Sequence, residues 1–181
     1  LLLIGSSTGT VQVIDRKTNQ SKSMYAGFNG PSHALMMEDG SIIVAEMGTG
    51  NLLRVKGMEG KDRTVIATDL IVPGYISLAG NNAVYITEIV AGTISRIDLS
   101  NGKKKIIAKG LKGPEGMGVL PDGKLVVVET GTAQLVQIDP ASGAITTLVN
   151  NLAVGYPSGS PPPGLVTGVA VSGSGVIYVT G

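Results

Sequence analysis

Cysteine and tryptophan are absent from this 181-residue sequence, and histidine and phenylalanine each occur once. Without cysteine the chain cannot form disulfides, thiolate-bound metal sites or a thiol nucleophile. With His33 as its single histidine, it cannot build a histidine dyad or a multi-histidine metal site from its own residues. These absences exclude several large classes of catalytic and metal-binding chemistry within the sequence.

Strong net charge and long apolar segments are also missing. Lysine and arginine number 14 against 13 acidic residues, which gives a net charge of +1 with the charges scattered along the chain. A nucleic-acid-binding surface needs a basic patch, so we expect no nucleic-acid partner. The one basic run, residues 103–105, follows Asn101-Gly102 and is interpreted as solvating a hairpin turn. Because no apolar run approaches the roughly 20 residues of a membrane span, we also expect no transmembrane segment.

A repeat of about 41 residues organises the sequence. Short apolar runs close on small or acidic residues spaced 41, 42, 41 and 52 residues apart, namely Gly5, Glu46, Glu88, Glu129 and Gly181. Two further sets of residues recur at the same interval of about 41 residues. One is a proline before an apolar run, at Pro31, Pro73 and Pro114. The other is a short link into the next run, at Gly9, Gly50, Gly92 and Ala133.

Each repeat contains four short apolar runs separated by turn residues, and none of them has helical spacing. In one copy the predicted strands are residues 33–37, 41–46, 51–56 and 63–67. Four antiparallel strands in about 40 residues are typical of one blade of a β-propeller. We therefore predict an all-β propeller of about 4.3 four-stranded blades, with units at 1–30, 31–72, 73–113, 114–163 and a partial 164–181. The first and last runs both match second strands, so we expect a segment of a larger propeller.

The clearest copy runs through residues 113–139 as GPEGMGVLPDGKLVVVETGTAQLVQID, and the Pro-rich residues 156–164 lead into LVTGVA. These residues resemble NHL-type and SMP-30/gluconolactonase-like propellers, and are most similar to secreted NHL propellers of the scytonemin-cluster type. The resemblance implies a six-bladed whole. It also favours an extracellular, periplasmic or organelle-lumenal location.

The resemblance further implies where ligands bind. In such propellers the loop into each axial strand and the loop out of each second strand share one face, which carries the ligand or active site. The Pro-rich loop is expected on the same face. The side chains predicted for this ligand-binding face are His33, Tyr75, Glu115 and Thr167 at the axial starts, Glu46, Glu88 and Glu129 at the second-strand ends, and Tyr156.

The three glutamates that close the second strands have two interpretations. One is an acidic ring that binds a cation or a polyol. The other, which we favour, is a repeated structural residue that accepts hydrogen bonds from the amides of the Gly-containing link. A polar residue follows each glutamate by eight positions and predicts a side-chain pair within each blade: Arg54, Arg96 and Gln137.

His33 and the tyrosines also have two interpretations. His33 would suit a general base near neutral pH, but a packing or hydrogen-bonding role is favoured for a lone histidine. Tyr75 and Tyr156 are expected to cover the rim rather than to stack on a ligand. Met117 is expected to fill the core or the axis.

Glu115 is the strongest single candidate for a ligand contact, because nothing in the repeat requires an acid there. It is also the one credible metal ligand at the axial starts, since hard cations prefer several oxygen ligands, carboxylates above all. The favoured function is a non-catalytic binding or scaffold propeller for a protein or small ligand, without a cofactor. The alternative is a metal-dependent hydrolase or lactonase of the SMP-30 type, with calcium held at Glu115 and His33 near the reacting group.

Overall fold

The fold is all-β in the part of the chain that this computed structural model describes, residues 2–57, 60–154 and 167–181. Within those ranges there is no helix, and hence none long and apolar enough to cross a membrane. The described strands are β1 (Leu2–Gly5), β2 (Thr10–Ile14), β3 (Ser21–Ala26), β4 (Pro31–Met36), β5 (Ile42–Glu46), β6 (Asn51–Lys56), β7 (Asp62–Ala67), β8 (Pro73–Leu78), β9 (Ala83–Glu88), β10 (Thr93–Asp98), β11 (Lys104–Lys109), β12 (Pro114–Val119), β13 (Leu125–Glu129), β14 (Gln134–Ile138), β15 (Ile145–Val149), β16 (Gly168–Val171) and β17 (Ile177–Thr180).

These strands form antiparallel sheets in which each strand pairs with its neighbour along the chain. We number the sheets as blades one to five: β1–β3, β4–β7, β8–β11, β12–β15 and β16–β17. Blades two, three and four have four strands each, so the predicted all-β propeller of four-stranded blades is confirmed. The strands β4, β8, β12 and β16 lie side by side, which makes them the axial strands. The residue limits of the blade units stay a prediction.

In blades two, three and four the second strand is buried on both faces. Every residue of β5 and of β13 is buried. In β5, Val44 packs with Val11 of blade one, whereas Ile43 packs with Ile76 of blade three. A strand with a sheet on either side needs apolar side chains at successive positions, as strands covered on both faces do in parallel sheets. This explains why the repeat shows continuous apolar runs rather than alternation.

The repeated proline is the first residue of each axial strand, not the residue before it as predicted. Pro31, Pro73 and Pro114 pair with the glutamates that end the second strands, and a bulge follows each pair. Proline is tolerated at the first position of a strand because no ladder hydrogen bond depends on its missing N–H. The pairing also places the ends of the second strands beside the starts of the axial strands, at one end of each blade.

The repeated link adopts the left-handed conformation in every blade where it occurs. The φ angle is 63°, 69° and 64° at Gly9, Gly50 and Gly92, and 52° at Ala133. The carbonyl of each link residue accepts an amide hydrogen bond of 2.9 to 3.1 Å from a residue just after the outer strand. A Cβ atom on Gly92 would lie 2.3 Å from the carbonyl oxygen of Leu111. The link therefore favours glycine for its backbone conformation and for its close approach to this carbonyl.

We expect Gly92→Ala to lower the free energy of unfolding by at least about 1–2 kcal/mol, because alanine is strained in the left-handed region and its Cβ would collide with the Leu111 carbonyl. The matched change Ala133→Gly relieves strain but loosens the unfolded chain, so its effect should stay below about 1 kcal/mol. Urea unfolding of both variants measures the difference. Equal losses of stability would contradict this account of the link.

Candidate functional site

Side-chain hydrogen bonds tie the starts of the axial strands together across blades. The buried hydroxyl of Ser32 in blade two lies 2.7 Å from the carbonyl oxygen of Pro73 and 2.9 Å from that of Gly74, both in blade three. The hydroxyl of Thr167 accepts the Gly116 amide of blade four at 3.1 Å. The predicted site residue Thr167 thus lies at the axial start of blade five, where it serves as a link between blades.

Glu115 is 5% exposed, and its carboxylate joins blade four to the segment that leads into β16. The Thr130 hydroxyl lies 3.3 Å from Oε1, and the amide and hydroxyl of Thr167 each lie 3.2 Å from Oε2. In the described ranges, no group of three or more His, Asp or Glu side chains is placed to hold a metal ion. Calcium binding at Glu115 stays a prediction.

The three glutamates of the second strands accept backbone hydrogen bonds in the same way. Each carboxylate accepts the amide of the residue 17 positions earlier, in the connection that leads from the preceding blade to the axial proline of the glutamate's own blade. Two of them also accept a hydroxyl three residues later, from Thr49 at 2.6 Å and from Thr132 at 3.5 Å. The pairs are Asn29 with Glu46, Ile71 with Glu88 and Lys112 with Glu129. The glutamates therefore fasten the connection between blades, and all three are buried.

The hydrogen-bond donors differ from those expected from the sequence. The amides come from the connection between blades rather than from the Gly-containing link, so the predicted donor was wrong. Arg54 does not pair with the glutamate eight residues before it: its guanidinium lies 3.6 Å from the Asp39 carboxylate. That pair lines a cavity of about 270 Å³ at the opposite end of the axial strands.

Glu88 has a second set of donors that the other two glutamates lack. It is 1% exposed, and it accepts the Ser95 hydroxyl at 2.6 Å and the Lys104 ammonium at 2.8 Å. Burial alone would raise the pKa of this carboxyl. The hydrogen bonds from Lys104, Ser95 and the Ile71 amide outweigh burial and lower the pKa from its ordinary value of 4.5.

Lys104 was missed as a functional neighbour of Glu88, because it was grouped with a run of lysines that solvates a turn. It is instead the first residue of β11, and its side chain reaches back across the blade. The sequence carried a signal for this difference. Blades two and four have Thr49 and Thr132 three residues after their glutamates, whereas blade three has Ala91. In blade three the hydroxyls of Thr93 and Ser95 and the ammonium of Lys104 donate to Glu88 instead.

His33 and Tyr75 meet beside the axis. Their ring centroids are 3.8 Å apart with a tilt of 36°. The Tyr75 hydroxyl lies 3.4 Å from the Val169 carbonyl oxygen of blade five, so the ring spans the face of blade four. Burial lowers the pKa of His33 to about 4 and raises the pKa of Tyr75. Both side chains are uncharged at neutral pH.

An open groove of about 470 Å³ runs along the axial strands from this pair. Its walls are mostly apolar, and its polar side chains are His33, Tyr75 and Ser77. Met117, expected to fill the core or the axis, is 1% exposed and lines the groove floor. Ser77 was not singled out in the sequence; its hydroxyl bonds the Met117 carbonyl at 3.2 Å. The groove is the part of the structure where predicted site residues border open space.

The predicted site residues therefore fall into three groups. His33 and Tyr75 form the groove, Glu115 and Thr167 form a contact between blades four and five, and the three glutamates fasten the connections between blades. Tyr156 and the Pro-rich residues 157–164, predicted to lie on the same face as Glu115, fall outside the described residues. Whether any of these side chains binds a ligand stays a prediction.

Comparison with known proteins places the fold but not the family. No family model matches the chain, and no curated protein matches it. Among solved structures, virginiamycin B lyase from Staphylococcus aureus is similar with a TM-score of 0.68 and 21% identity over 98% of this chain. A luciferin-regenerating enzyme is similar with a TM-score of 0.74 and 11% identity over 98% of this chain. A structure of a nidogen/laminin complex is similar with a TM-score of 0.69 and 14% identity over 92% of this chain.

The chain spans 64% of the length of each of these three structures. At such low identity the similarity shows the fold alone, and the neighbours include enzymes as well as a protein from a complex. The comparisons therefore support a β-propeller and do not distinguish NHL-type or SMP-30-like propellers from other propellers.

We expect Glu88→Gln to lower the free energy of unfolding by about 2–3 kcal/mol, because it leaves the part-buried Lys104 ammonium without its charged partner. The matched variant Glu129→Gln loses no ion pair and should cost about 1 kcal/mol. Since the Glu88 pKa is lowered in the folded state, its stabilising effect is present above pH 4.5 and is lost as pH falls below that value. Urea unfolding from pH 7 to pH 3 measures both effects. A difference between the two variants that persists unchanged at pH 3 would contradict the role of the Glu88 charge.

The lowered pKa of His33 makes a separate prediction. Below pH 6.5 the unfolded chain takes up a proton at this residue, but the folded chain does so only near pH 4. Stability should therefore fall by about 2 kcal/mol between pH 7 and pH 5, a range in which the carboxylates stay ionised. His33→Phe should remove this loss. A wild-type protein and a variant with parallel pH profiles of urea unfolding would show that His33 is not buried as described.

Proposed function

We propose that this chain is part of a non-catalytic binding propeller that holds a small ligand or a partner's side chain in the axial groove beside His33 and Tyr75. The observation that carries the proposal is the contrast between the two kinds of polar group at this end of the molecule. The carboxylates accept hydrogen bonds from the protein itself, whereas the His33–Tyr75 pair borders open space.

The carboxylates are poorly suited to catalysis as they stand. Glu46, Glu88, Glu115 and Glu129 each accept protein donors, and Glu88 also holds an ammonium group. A carboxylate that takes up a metal or a substrate proton would have to give up such bonds, and a buried unsatisfied amide or hydroxyl costs about 1–3 kcal/mol. The same bonds stabilise the propeller when they are kept. This supports a structural role for the acids and a binding role for the groove.

The groove has the composition of a small-molecule site. Such sites are concave and mostly apolar, have volumes of about 300–1,000 Å³ and contain a few polar groups that orient the ligand. The axial groove falls in this range, with Tyr75, Met117 and Val169 among its lining residues. The NHL- and SMP-30-like repeat further supports a six-bladed whole and a compartment outside the cytosol.

The alternative is a metal-dependent hydrolase or lactonase, and it is supported by one observation. Glu115 is a buried acid at an axial start, a position where the other blades carry Ser32, Gly74 and Thr167. Its neighbours Thr130 and Thr167 provide hydroxyl oxygens, which suit a hard cation. The similar solved structures include enzymes and a protein from a complex, and one fold hosts many functions, so fold similarity favours neither proposal.

A metal test separates the two functions. We expect calcium in excess, or a chelator, to leave the melting temperature of the full-length protein unchanged, because the Glu115 oxygens already accept protein donors. Glu115→Gln should melt lower than wild type, to the same extent with calcium and with chelator. A stoichiometric calcium ion that raises the melting temperature and is lost in Glu115→Gln, together with hydrolysis of simple lactones, would establish the enzyme instead.

A ligand test addresses the groove directly. Ligand-observed NMR with a library of ring-containing fragments should find compounds that compete with one another for one site. Their affinity should fall at least about tenfold in Tyr75→Leu. It should be unchanged in Met24→Ala, which alters an exposed residue of the outer strand β3. Fragments that bind both variants equally, or no binding at all, would overturn the groove as the binding site.

A further inference from the structure

We propose that the ligand of the axial groove is an uncharged molecule whose ring lies against Tyr75 and whose carbonyl-type oxygen accepts a hydrogen bond from Nε2–H of His33. The inference rests on the proposed binding function and specifies the chemical class of the ligand.

The groove lies where the side chains of neighbouring axial strands differ in size at equivalent positions along the axis. The third residue of the axial strand is His33, Tyr75 and Gly116 in blades two to four, and the equivalent residue in blade five is Gly168. A Cβ atom on Gly116 would lie 3.0 Å from the carbonyl carbon of Gly168, so the backbones of blades four and five approach closely there. Two rings therefore face two glycines, and Tyr75 extends over blade four to the Val169 carbonyl. The two glycines have no side chain to fill the space at this level, where the ring of the proposed ligand would lie against Tyr75.

The surroundings of His33 determine which ring nitrogen carries the proton. Nδ1 is buried and has no hydrogen-bond partner among the described residues. A neutral imidazole places a donor on one nitrogen and a lone pair on the other. A buried donor without an acceptor is rarer in proteins than a buried acceptor without a donor. Nδ1 should therefore carry the lone pair, which leaves Nε2–H as the donor on a ring that lines the groove.

The electrostatics of the groove favour an uncharged ligand. No Lys, Arg, Asp or Glu side chain lines the groove in the described part of the chain. The titratable groups that face it are His33 of β4 and Tyr75 of β8, while the described lining residues of β12 and β16 are Met117, Gly118, Val119, Val169 and Val171. Among these described residues a charged ligand would lose its hydration without gaining a charged partner, which is costly. A carbonyl oxygen needs one donor, and His33 provides one.

The first experiment needs no variant for its main result. A long-range ¹H–¹⁵N correlation spectrum of the full-length protein at pH 7 reports which nitrogen of His33 is protonated, with the resonance assigned by its loss in His33→Phe. We expect the Nε2–H tautomer. An Nδ1–H tautomer, or a protonated imidazole at pH 7, would overturn the inference whatever binds in the groove.

The second experiment tests the ligand class with matched probes. Coumarin is a planar ring compound with a carbonyl, 2H-chromene is the same bicycle without it, and coumarin-3-carboxylate adds a charge. Coumarin should bind about tenfold more tightly than 2H-chromene, the effect of one net hydrogen bond, and more tightly than the carboxylate. His33→Phe should abolish the preference for the carbonyl while both neutral probes still bind, and Tyr75→Leu should weaken both equally.

The outcomes separate this inference from the proposed function. If neutral ring compounds bind but coumarin has no advantage, or keeps its advantage in His33→Phe, the ligand class is wrong and the groove remains a binding site. If neither neutral probe binds up to its solubility limit, the ligand class and the proposed binding function are both overturned. Preferential binding of the carboxylate would overturn the argument from charge.

Discussion

The packing of one sheet against the next is the constraint on which the rest of this structure depends. A four-stranded sheet of about 40 residues cannot cover both of its faces by itself, and its second strand is apolar at nearly every position. In β5 this strand lies between Val11 of one neighbour and Ile76 of the other. Blades two, three and four are therefore each stabilised by the two beside them. The repeat period, the close-packed connections and the buried glutamates all serve this stacking.

Stacking of this kind determines where chemistry is available. The connections between blades carry amides that need acceptors, and Glu46, Glu88 and Glu129 supply them. These three buried carboxylates therefore accept hydrogen bonds from the connections between blades. At one level of the axis the side chain differs from blade to blade: it is His33 and Tyr75 in blades two and three, and glycine in blades four and five, whose backbones approach closely there. The polar rings that border the groove are therefore not part of the pattern that the blades share.

Much of the fold could be predicted from the sequence, because the same local pattern is written several times and three columns of residues keep phase. The strands of blade two were predicted to within two residues of their observed limits. The prediction that the axial strand starts after the proline was wrong. Pro31 pairs with Glu46 as the first residue of the strand, and only a bulge separates this pair from the start that was predicted. The glutamates accept backbone amides, as the favoured interpretation expects, and whether they also bind a ligand stays a prediction. The identity of the amide donor was predicted wrongly, because it lies 17 residues upstream and meets the carboxylate only once the connection between blades is folded.

The candidate site was less predictable for a physical reason. His33 and Tyr75 belong to different repeats, 42 residues apart, and their contact depends on how two blades are rotated about the axis. The lone pair on Nδ1 and the charge-free groove depend on burial, which a single sequence does not reveal. The contact between Lys104 and Glu88 was partly predictable. Ala91 stands where blades two and four have a threonine that donates to the glutamate, which indicates a different donor in blade three but does not identify it as Lys104.

The reach of Tyr75 over blade four to the Val169 carbonyl means that these blades are not interchangeable modules. Tandem duplication readily adds or removes a unit of this kind, and the backbone of each copy would accept any neighbour. However, the Tyr75 side chain of blade three reaches blade five only because the blade between them, blade four, has glycine at this level of the axis. Swapping the order of two blades, or inserting another between them, would leave the hydroxyl without its acceptor. The observed order of blades three to five is thus favoured by a contact that the repeat pattern itself does not contain.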